Sequence, residues 1–205
     1  PSEKQLRQLI PDGFIFYQPK DIVAGDFYWL NKKDNNLYIA SCDCTGHGVP
    51  GALVSVVCNA ALNRSLKEFS LTYPSEILDK TRELVLEEFE KSEDEVSDGM
   101  DIALIRLNGN NLSFSGANNP LWIVRNNTNL LEEIKGCKQS IGLTNDPTPF
   151  VTHELNLNTG DCIYIFTDGY SDQFGGPKGK KFKTKAFKYL SVSYTHLTLP
   201  TRDDV

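Results

Sequence analysis

Three aspartates share one kind of position, at the end of an apolar strand and beside a glycine. Asp43 closes the strand LYIASC, Asp168 closes CIYIFT and precedes Gly169, and Asp26 follows Gly25 at the start of FYWL. A carboxylate placed there lies where a sheet meets solvent, and the small neighbour lets a ligand approach the backbone. Taken singly, each aspartate is better explained as a turn-capping residue. The shared context is what indicates a site.

The spacing of these residues favours a common location and a hard cation. One strand, a turn and a return strand separate Asp26 from Asp43, so both can reach one sheet edge. Clustered carboxylates with few histidines suit Mg²⁺ or Mn²⁺, which prefer oxygen ligands. Two such ions about 3.5–4 Å apart can share a water and lower its pKa toward roughly 7. The competing interpretation is a zinc cluster of Cys42, Cys44 and His47, which would lack its fourth ligand.

The elements that carry these residues follow from periodicity. Ser2–Ile10 has a helical pattern, and GFIFYQP predicts a strand that Pro19 stops. Helical spacing predicts a helix over ALVSVVCNAALNRSLKEF and another that begins at Pro74, with Ser75 as its N-cap. After Gly99 the segments DIALIRL, LSFSGA, PLWIVR and CIYIFTD predict short strands, and a basic helical tail follows. This order predicts an α+β layered fold with mostly antiparallel sheet.

Composition narrows the class of function. The net charge of −6 argues against a nucleic acid partner. Five scattered cysteines without a secretory signal indicate a reducing compartment, so we expect a cytoplasmic protein, whose full-length parent could be anchored to a membrane upstream. The lysine-rich run PKGKKFKTKAFK is interpreted as a solvated loop and helix start, or as a contact for an acidic or phosphorylated partner.

Six segments, in order, resemble the landmarks of the bacterial SpoIIE-like branch of the PPM (protein phosphatase 2C type) phosphatases. They are GDFYWL, CDCTGHGVPGALVS, GMDIALI, FSGANNPLWIVR, SIGL and TGDCIYIFTDGYSD. The resemblance runs from about Leu9 to Leu190, and DCTGHG and TDGYSD make it specific. It implies a β-sandwich flanked by helices, with a two-metal centre at one end that holds Mn²⁺ or Mg²⁺. It also implies a linker helix over 1–10, a phosphatase domain over 11–190 and an atypical, artefact-like tail over 191–205.

The resemblance assigns roles to the aspartates. Asp43 resembles the ligand that bridges both metals, and the backbone carbonyl of Cys44 is a further ligand. Asp26 matches the aspartate of the family's Gly-Asp motif, and Asp168 that of its Thr-Asp-Gly motif. The metals would bind the phosphoryl oxygens, and their shared hydroxide would attack phosphorus in line, without a phosphoenzyme.

The remaining candidates surround this centre. His47 either protonates the leaving serine or threonine oxygen or shapes its glycine turn. Asn119 keeps the asparagine of a His-Asn pair found in relatives, whereas Asn118 replaces the histidine and cannot titrate. Asp101 either supports the ligands or is an ordinary strand-start aspartate. Substrate binding or support of the ligands is also assigned to Gly46, Asn119 and Gly169.

The resemblance stops after Leu190. Relatives continue with a last strand that opens with an aspartate ligand, and here Asp203 mimics that motif without a strand after it. We therefore expect the C-terminal strand to be missing, with loss of a core edge.

The predicted function is a metal-dependent protein serine/threonine phosphatase. The resemblance implies a substrate such as a phosphorylated anti-sigma-factor antagonist, an upstream sensory or linker module, and a homodimer formed through the N-terminal linker. One alternative is a catalytically impaired binding or signalling module that keeps the fold. A two-metal nuclease or phosphodiesterase fits the carboxylates but not the acidic balance.

Overall fold

The secondary structure alternates between strand hairpins and helices, in a computed structural model that describes residues 3–90, 98–175, 177 and 179–194. Four helices are described: α1 (Glu3–Leu9), α2 (Gly48–Lys67), α3 (Pro74–Phe89) and α4 (Lys183–Tyr194). The strands are β1 (Phe27–Lys33), β2 (Asn36–Cys44), β3 (Met100–Asn108), β4 (Asn111–Ala117), β5 (Leu121–Val124), β6 (Leu131–Ile134), β7 (His153–Asn156), β8 (Cys162–Tyr164), β9 (Phe174–Gly175) and β10 (Lys180–Lys181).

Two antiparallel sheets form the centre of the molecule. The larger sheet has the strand order β1-β2-β3-β4-β7, and the smaller has the order β6-β5-β8. Strands β3 and β4 meet in a hairpin whose turn contains Gly109 with φ 57°, in the left-handed region that glycine adopts most easily. Strands β9 and β10 form a separate two-stranded ribbon. The predicted α+β architecture with antiparallel sheets is confirmed.

Both faces of the larger sheet are buried, and alternate residues of each strand contribute to opposite faces. On β2, the residues Tyr38, Ala40, Cys42 and Cys44 belong to the core under α2 and α3. Ile39 lies on the other face, where Phe114 and residues of β3 pack against Leu121 and Ile123 of the smaller sheet. The layers are therefore a helical pair, the larger sheet and the smaller sheet.

Helix α4 covers the outer face of the smaller sheet. Trp122 alternates with its inward-facing neighbours on β5, and its ring lies 5.2 Å from that of Phe187 of α4. Phe166 completes this aromatic cluster, with its ring 4.2 Å from that of Trp122. The layer order is thus helices, sheet, sheet, helix.

Two local predictions are wrong. The segment GFIFYQP forms no strand, and the side chains of Phe14 and Phe16 are each 66% exposed. Its Tyr17 hydroxyl donates a hydrogen bond to the backbone carbonyl of Asp26, and the segment pairs with none of the described strands. Ser75 is not the N-cap of α3: Tyr73 holds that position and Pro74 follows as the first helical residue, where its missing N–H costs nothing.

One further prediction is partly wrong, and another concerns residues that the structure does not describe. The last apolar strand is shorter than CIYIFTD, since β8 ends at Tyr164 and Asp168 follows on a loop. Asp203 and the predicted loss of a final strand lie outside the described residues. Among the described residues, no helix is long and apolar enough to cross a membrane.

Candidate active site

Asp26 and Asp43 lie side by side where β1 and β2 meet the end of the sandwich. Phe27 pairs with Cys42 in the antiparallel register, which brings the preceding Asp26 next to Asp43. Gly25 makes this approach possible, because a Cβ there would lie 2.7 Å from the carbonyl oxygen of Gly46. The same Cβ would lie 2.9 Å from the carbonyl oxygen of Cys44. The loop after Asp43 therefore packs directly on the backbone before Asp26.

Asp168 comes to the same place from the smaller sheet. The hydroxyl of Thr167 donates a hydrogen bond of 2.7 Å to Oδ2 of Asp26, which connects the loop after β8 to the larger sheet. Gly169 lies beside the same carboxylate, since a Cβ on it would be 3.7 Å from Oδ2 of Asp26. The amide of Asp172 and the hydroxyl of Ser171 both donate to the carbonyl oxygen of Asp168. These bonds hold Asp168 in a tight turn opposite the larger sheet.

Asp101 adds a fourth carboxylate. It pairs with Asp43 across β2 and β3, and paired residues present their side chains on the same face. Its Oδ1 accepts hydrogen bonds from Nδ2 of Asn118, at 2.9 Å, and from the hydroxyl of Ser140. Asn118 is held in the left-handed region, with φ 57°. The asparagine that departs from the family pattern thus fixes a carboxylate beside Asp43.

The four carboxylates repel one another. Burial, followed by the charges of Asp26 and Asp168, raises the pKa of Asp43 to about 7, and Asp101 adds to this effect. Burial also raises the pKa of Asp168, with Asp172 and Asp26 as further causes and Lys181 acting in the opposite direction. A site that raises carboxyl pKa values in this way is one that a cation would relieve.

The donor set suits a hard divalent cation. Among the residues that the structure describes, no three acidic, histidine or cysteine side chains come close enough together to enclose an ion. The carboxylates nevertheless share one sheet end and sense each other's charge. They offer oxygen atoms, the ligands that Mg²⁺ and Mn²⁺ prefer. These residues therefore fit such ions.

The zinc interpretation has no support from the geometry. Cys42 and Cys44 are buried on the face of β2 that packs under the helices, with Cys58 of α2 in the same core. Asp43 lies between them on the opposite face. His47 is exposed at the N-cap of α2 and makes no capping hydrogen bond through its side chain. The two cysteines and His47 therefore do not point toward one common site.

The glycine turn around His47 has a clear structural reason. Gly46 has φ 89° and Gly48 has φ 61°, in the left-handed region. A Cβ on Gly51 of α2 would collide with the carbonyl oxygen of Gly46. The turn therefore needs glycine for its conformation, and its backbone lies close to the first turn of α2.

Asn119 lies apart from the carboxylates in its contacts. A Cβ on Gly136 would be 2.7 Å from its carbonyl oxygen. Its side-chain nitrogen is buried and makes no hydrogen bond to the described residues. The backbone of Asn119 therefore packs against Gly136, and the role of Asn119 in substrate binding stays a prediction.

Three contributors to the site were not found from the sequence. Thr167 holds Asp26, Ser140 holds Asp101, and the hydroxyl of Tyr17 donates a hydrogen bond of 2.9 Å to the carbonyl oxygen of Asp26. Thr167 and Ser140 lie within the segments TGDCIYIFTDGYSD and SIGL, which offered a signal. No periodicity marks Tyr17, because its segment is neither helix nor strand.

This arrangement of two antiparallel sheets between helices matches that of solved PP2C-type phosphatase domains. The SiaA-PP2C domain of Pseudomonas aeruginosa matches with a TM-score of 0.82 and 28% identity, over 97% of this chain and 78% of that one. The PP2C phosphatase domain with a regulatory fragment of SpoIIE from Bacillus subtilis matches with a TM-score of 0.65 and 18% identity, over 87% of this chain and 48% of that one. The RsbU and RsbW domains of a Mycobacterium tuberculosis protein also match with a TM-score of 0.65, at 21% identity, over 86% and 47%.

The family follows from the sequence match. The model of the Stage II sporulation protein E (SpoIIE) family matches residues 33–201, and the chain belongs to that family. It has a phosphatase fold of the PPM type, as the resemblance implied. The chain spans about half the length of the Bacillus and Mycobacterium structures, at 48% and 47%. No curated protein matches it by sequence.

Proposed function

We propose that the chain is a metal-dependent phosphatase of phosphoserine and phosphothreonine in proteins. The observation that carries the proposal is the meeting of carboxylates from both sheets at one end of the sandwich. Asp26, Asp43 and Asp101 come from the larger sheet and Asp168 from the smaller, with Thr167 connecting the two. Neither sheet alone holds this cluster.

Asp26, Asp43 and Asp168 would hold two Mn²⁺ or Mg²⁺ ions, together with the carbonyl oxygen of Cys44. When bound, such ions supply positive charge for phosphoryl oxygens and acidify a coordinated water. Asp43 lies between Asp26 and Asp101 and also senses the charge of Asp168, which suits a shared ligand. The protein's own work is to hold these oxygens in place before substrate arrives, which is the main source of acceleration in phosphoryl transfer.

The residues around the cluster have supporting roles in this proposal. Thr167 orients the Asp26 carboxylate, and Asn118 and Ser140 occupy Oδ1 of Asp101, so that its other oxygen is left for the site. His47 is exposed at the rim and either protonates the leaving serine or threonine oxygen or only shapes the turn. Gly169 lies beside the Asp26 carboxylate, and Gly46 shapes the turn that packs on the first turn of α2.

The substrate that we propose is a phosphorylated anti-sigma-factor antagonist or a similar signalling protein in the cytoplasm. Membership of the SpoIIE family and the likeness to the RsbU and RsbW domains support it. Control by an upstream sensory or linker module, and a homodimer formed through the N-terminal helix, belong to the same proposal. We assign no role to nucleic acid.

The test is hydrolysis of an aryl phosphate and a phosphoserine peptide with Mn²⁺ or Mg²⁺ and then with a chelator. The Asp43→Asn variant is measured beside the unaltered chain. We expect activity that needs metal and falls at least about 100-fold in the variant, as when a charge-stabilising group is lost. Full activity in chelator, or in the Asp43→Asn protein, would refute the proposal.

A second candidate is a binding module that keeps the fold without catalysis. One observation favours it: among the described residues, no three chelating side chains enclose an ion. Calorimetric titration separates the two candidates. A scaffold binds Mn²⁺ weakly or not at all, whereas the phosphatase binds two ions and loses this binding in Asp43→Asn.

A further inference from the structure

A basic surface lies next to the candidate active site. We call it the basic arm, and it consists of the ribbon β9–β10 and the first turn of α4. Lys180, Lys181, Lys183 and Lys185 are all exposed on it. Lys181 pairs with Asp172 at 2.6 Å. Within the described part of the chain, the other three lysines have no ion-pair partner.

The basic arm is tied to the loop that carries Asp168. The amide of Lys183 donates to the carbonyl oxygen of Ser171 at 2.7 Å, and the amide of Phe182 donates to that of Gln173 at 2.9 Å. The side chain of Gln173 donates in turn to the carbonyl oxygen of Gly169. These hydrogen bonds therefore fix the backbone of the basic arm against the loop that carries Asp168.

Among the described residues, the charges of Lys180, Lys183 and Lys185 form no ion pair that would stabilise the fold. Helix α4 has no acidic residue in its first turn, where the helix dipole would favour one, and carries Lys183 and Lys185 there instead. A cation at a helix N-terminus is unfavourable, because it opposes the helix dipole. Lys183 also lies in the left-handed region, with φ 69°. A local arrangement that opposes helix stability calls for a function outside the fold.

The net charge of the whole chain is opposite in sign to the charge of the basic arm. The chain carries a net charge of −6, so an acidic protein is repelled at long range. The unpaired lysines place positive charge beside the site where substrate must arrive. Phe174 is 74% exposed on the same ribbon and offers an apolar contact within the basic surroundings. Charge and an exposed ring together suit a peptide segment.

We propose that the basic arm docks the acidic residues that flank the phosphorylated serine or threonine of a protein substrate. This inference rests on the proposed phosphatase function and specifies its substrate class. The phosphoryl group lies at the carboxylate cluster while neighbouring aspartates or glutamates pair with the lysines. A nucleic acid is the other polyanion that such a surface attracts, and the overall acidity of the chain disfavours it.

The test uses a double variant of the chain, Lys180→Gln with Lys183→Gln, and leaves Lys181 in place because it neighbours Asp168. The matched control is Lys32→Gln with Lys67→Gln, which removes two exposed lysines far from the site. Both lie near the end of β1 that is opposite Asp26, where the neighbouring Lys33 bonds to the carbonyl oxygen of Leu66. The substrates are two phosphoserine peptides of equal length, one with acidic and one with neutral flanks, and an aryl phosphate.

We expect kcat/KM for the acidic peptide to fall about three- to tenfold in the double variant at low salt, through KM. The neutral peptide and the aryl phosphate change less than about twofold, and the control variant behaves as the unaltered chain. The difference shrinks at about 0.5 M salt, because exposed charges are then screened. Equal losses for both peptides, or no loss for the acidic one, would overturn the proposal.

A binding measurement separates this inference from the proposed function. The acidic phosphopeptide carries a fluorophore, and its anisotropy is followed with the Asp43→Asn protein, in which turnover is not required. Weaker binding on removal of the two lysines supports the basic arm even where hydrolysis fails. Binding that does not depend on them, or that a single-stranded oligonucleotide of equal charge displaces as readily as unlabelled peptide, contradicts it.

Discussion

Replacement of Asp43 by asparagine should stabilise the metal-free protein at pH 8. Burial and the charges of Asp26 and Asp168 raise the pKa of Asp43 from 3.8 to about 7. Because the folded state favours the protonated form, the contribution of this group is intact below pH 4 and is lost as the pH rises through about 7. Above that pH the fold carries the full cost of a charged carboxylate among carboxylates. Asparagine keeps the shape and removes the charge.

The size of the effect follows from that pKa. A rise from 3.8 to about 7 corresponds to at most about 4 kcal/mol of unfolding free energy. Asp43 is only partly buried, so solvent screens the repulsion and reduces the expected gain to about 1–2 kcal/mol. At pH 4, just above the unfolded value of 3.8, the aspartate is protonated in the folded state and about half protonated in the unfolded state, so most of the gain should be lost.

Urea unfolding in chelator, at pH 4 and pH 8, measures the difference between the two proteins. A second set of curves with Mn²⁺ or Mg²⁺ should reverse the order, because a ligand at 100 times its Kd stabilises the unaltered protein by about 2.7 kcal/mol. The variant should respond much less. If Asp43→Asn is no more stable than the unaltered chain at pH 8 in chelator, the carboxylates do not share one crowded site. Equal stabilisation of both proteins by metal would refute the assignment of Asp43.

Three further changes test the surroundings of the site. Thr167→Val removes the donor to Asp26, and titration calorimetry should show about 10- to 100-fold weaker metal binding with unfolding unchanged; an unaltered affinity would contradict this role. Gly25→Ala should cost about 1–3 kcal/mol in urea unfolding because the new Cβ meets two carbonyl oxygens, whereas Gly175→Ala, with open space around it, should be near neutral. Asp161→Asn should cost about 2 kcal/mol at pH 7, since the buried carboxylate accepts a bond from an arginine.

The Asp161 prediction also has a pH dependence. Burial raises the pKa of Asp161, but hydrogen bonds from the amide of Asn158 and the guanidinium of Arg125 outweigh it, so the pKa lies below its ordinary value. A lowered carboxyl pKa contributes stability above its unfolded value of 3.8, and this contribution is lost as the pH falls through the folded value. The cost of Asp161→Asn should therefore shrink in acid. A constant cost down to pH 2 would show that charge is not the cause.

The strands that carry the aspartates could be predicted because their signal is local. Asp43 follows an apolar run, and antiparallel return brings Asp26 to it whatever the rest of the chain does. The location of Asp168 was predictable as a strand end, although β8 stops at Tyr164 and a loop makes up the remainder. Only the packing of two sheets places Asp168 opposite Asp43, and the sequence supplied that through family resemblance alone.

The contacts that hold the carboxylates were not predictable from local pattern. Thr167 and Asp26 are separated by 141 positions, and Ser140 and Asp101 by 39, so tertiary packing alone decides that they meet. The prediction of a strand over GFIFYQP was wrong for a related reason. Its aromatic residues suit a strand, but the segment pairs with none of the described strands, and the Tyr17 side chain bonds to the backbone of Asp26, a contact that only tertiary packing decides.

The site joins the two sheets, which has a consequence for the stability of the sandwich. Asp43 and Asp101 end the larger sheet and Asp168 follows the smaller, so their repulsion pushes the sheet ends apart. The bond from Thr167 to Asp26 opposes that push. A divalent cation bound between the sheets would turn repulsion into attraction across the same gap. Metal binding and closure of this end of the sandwich should therefore be one event, and amides near Asp26 and Asp168 should gain hydrogen-exchange protection together when Mn²⁺ is added.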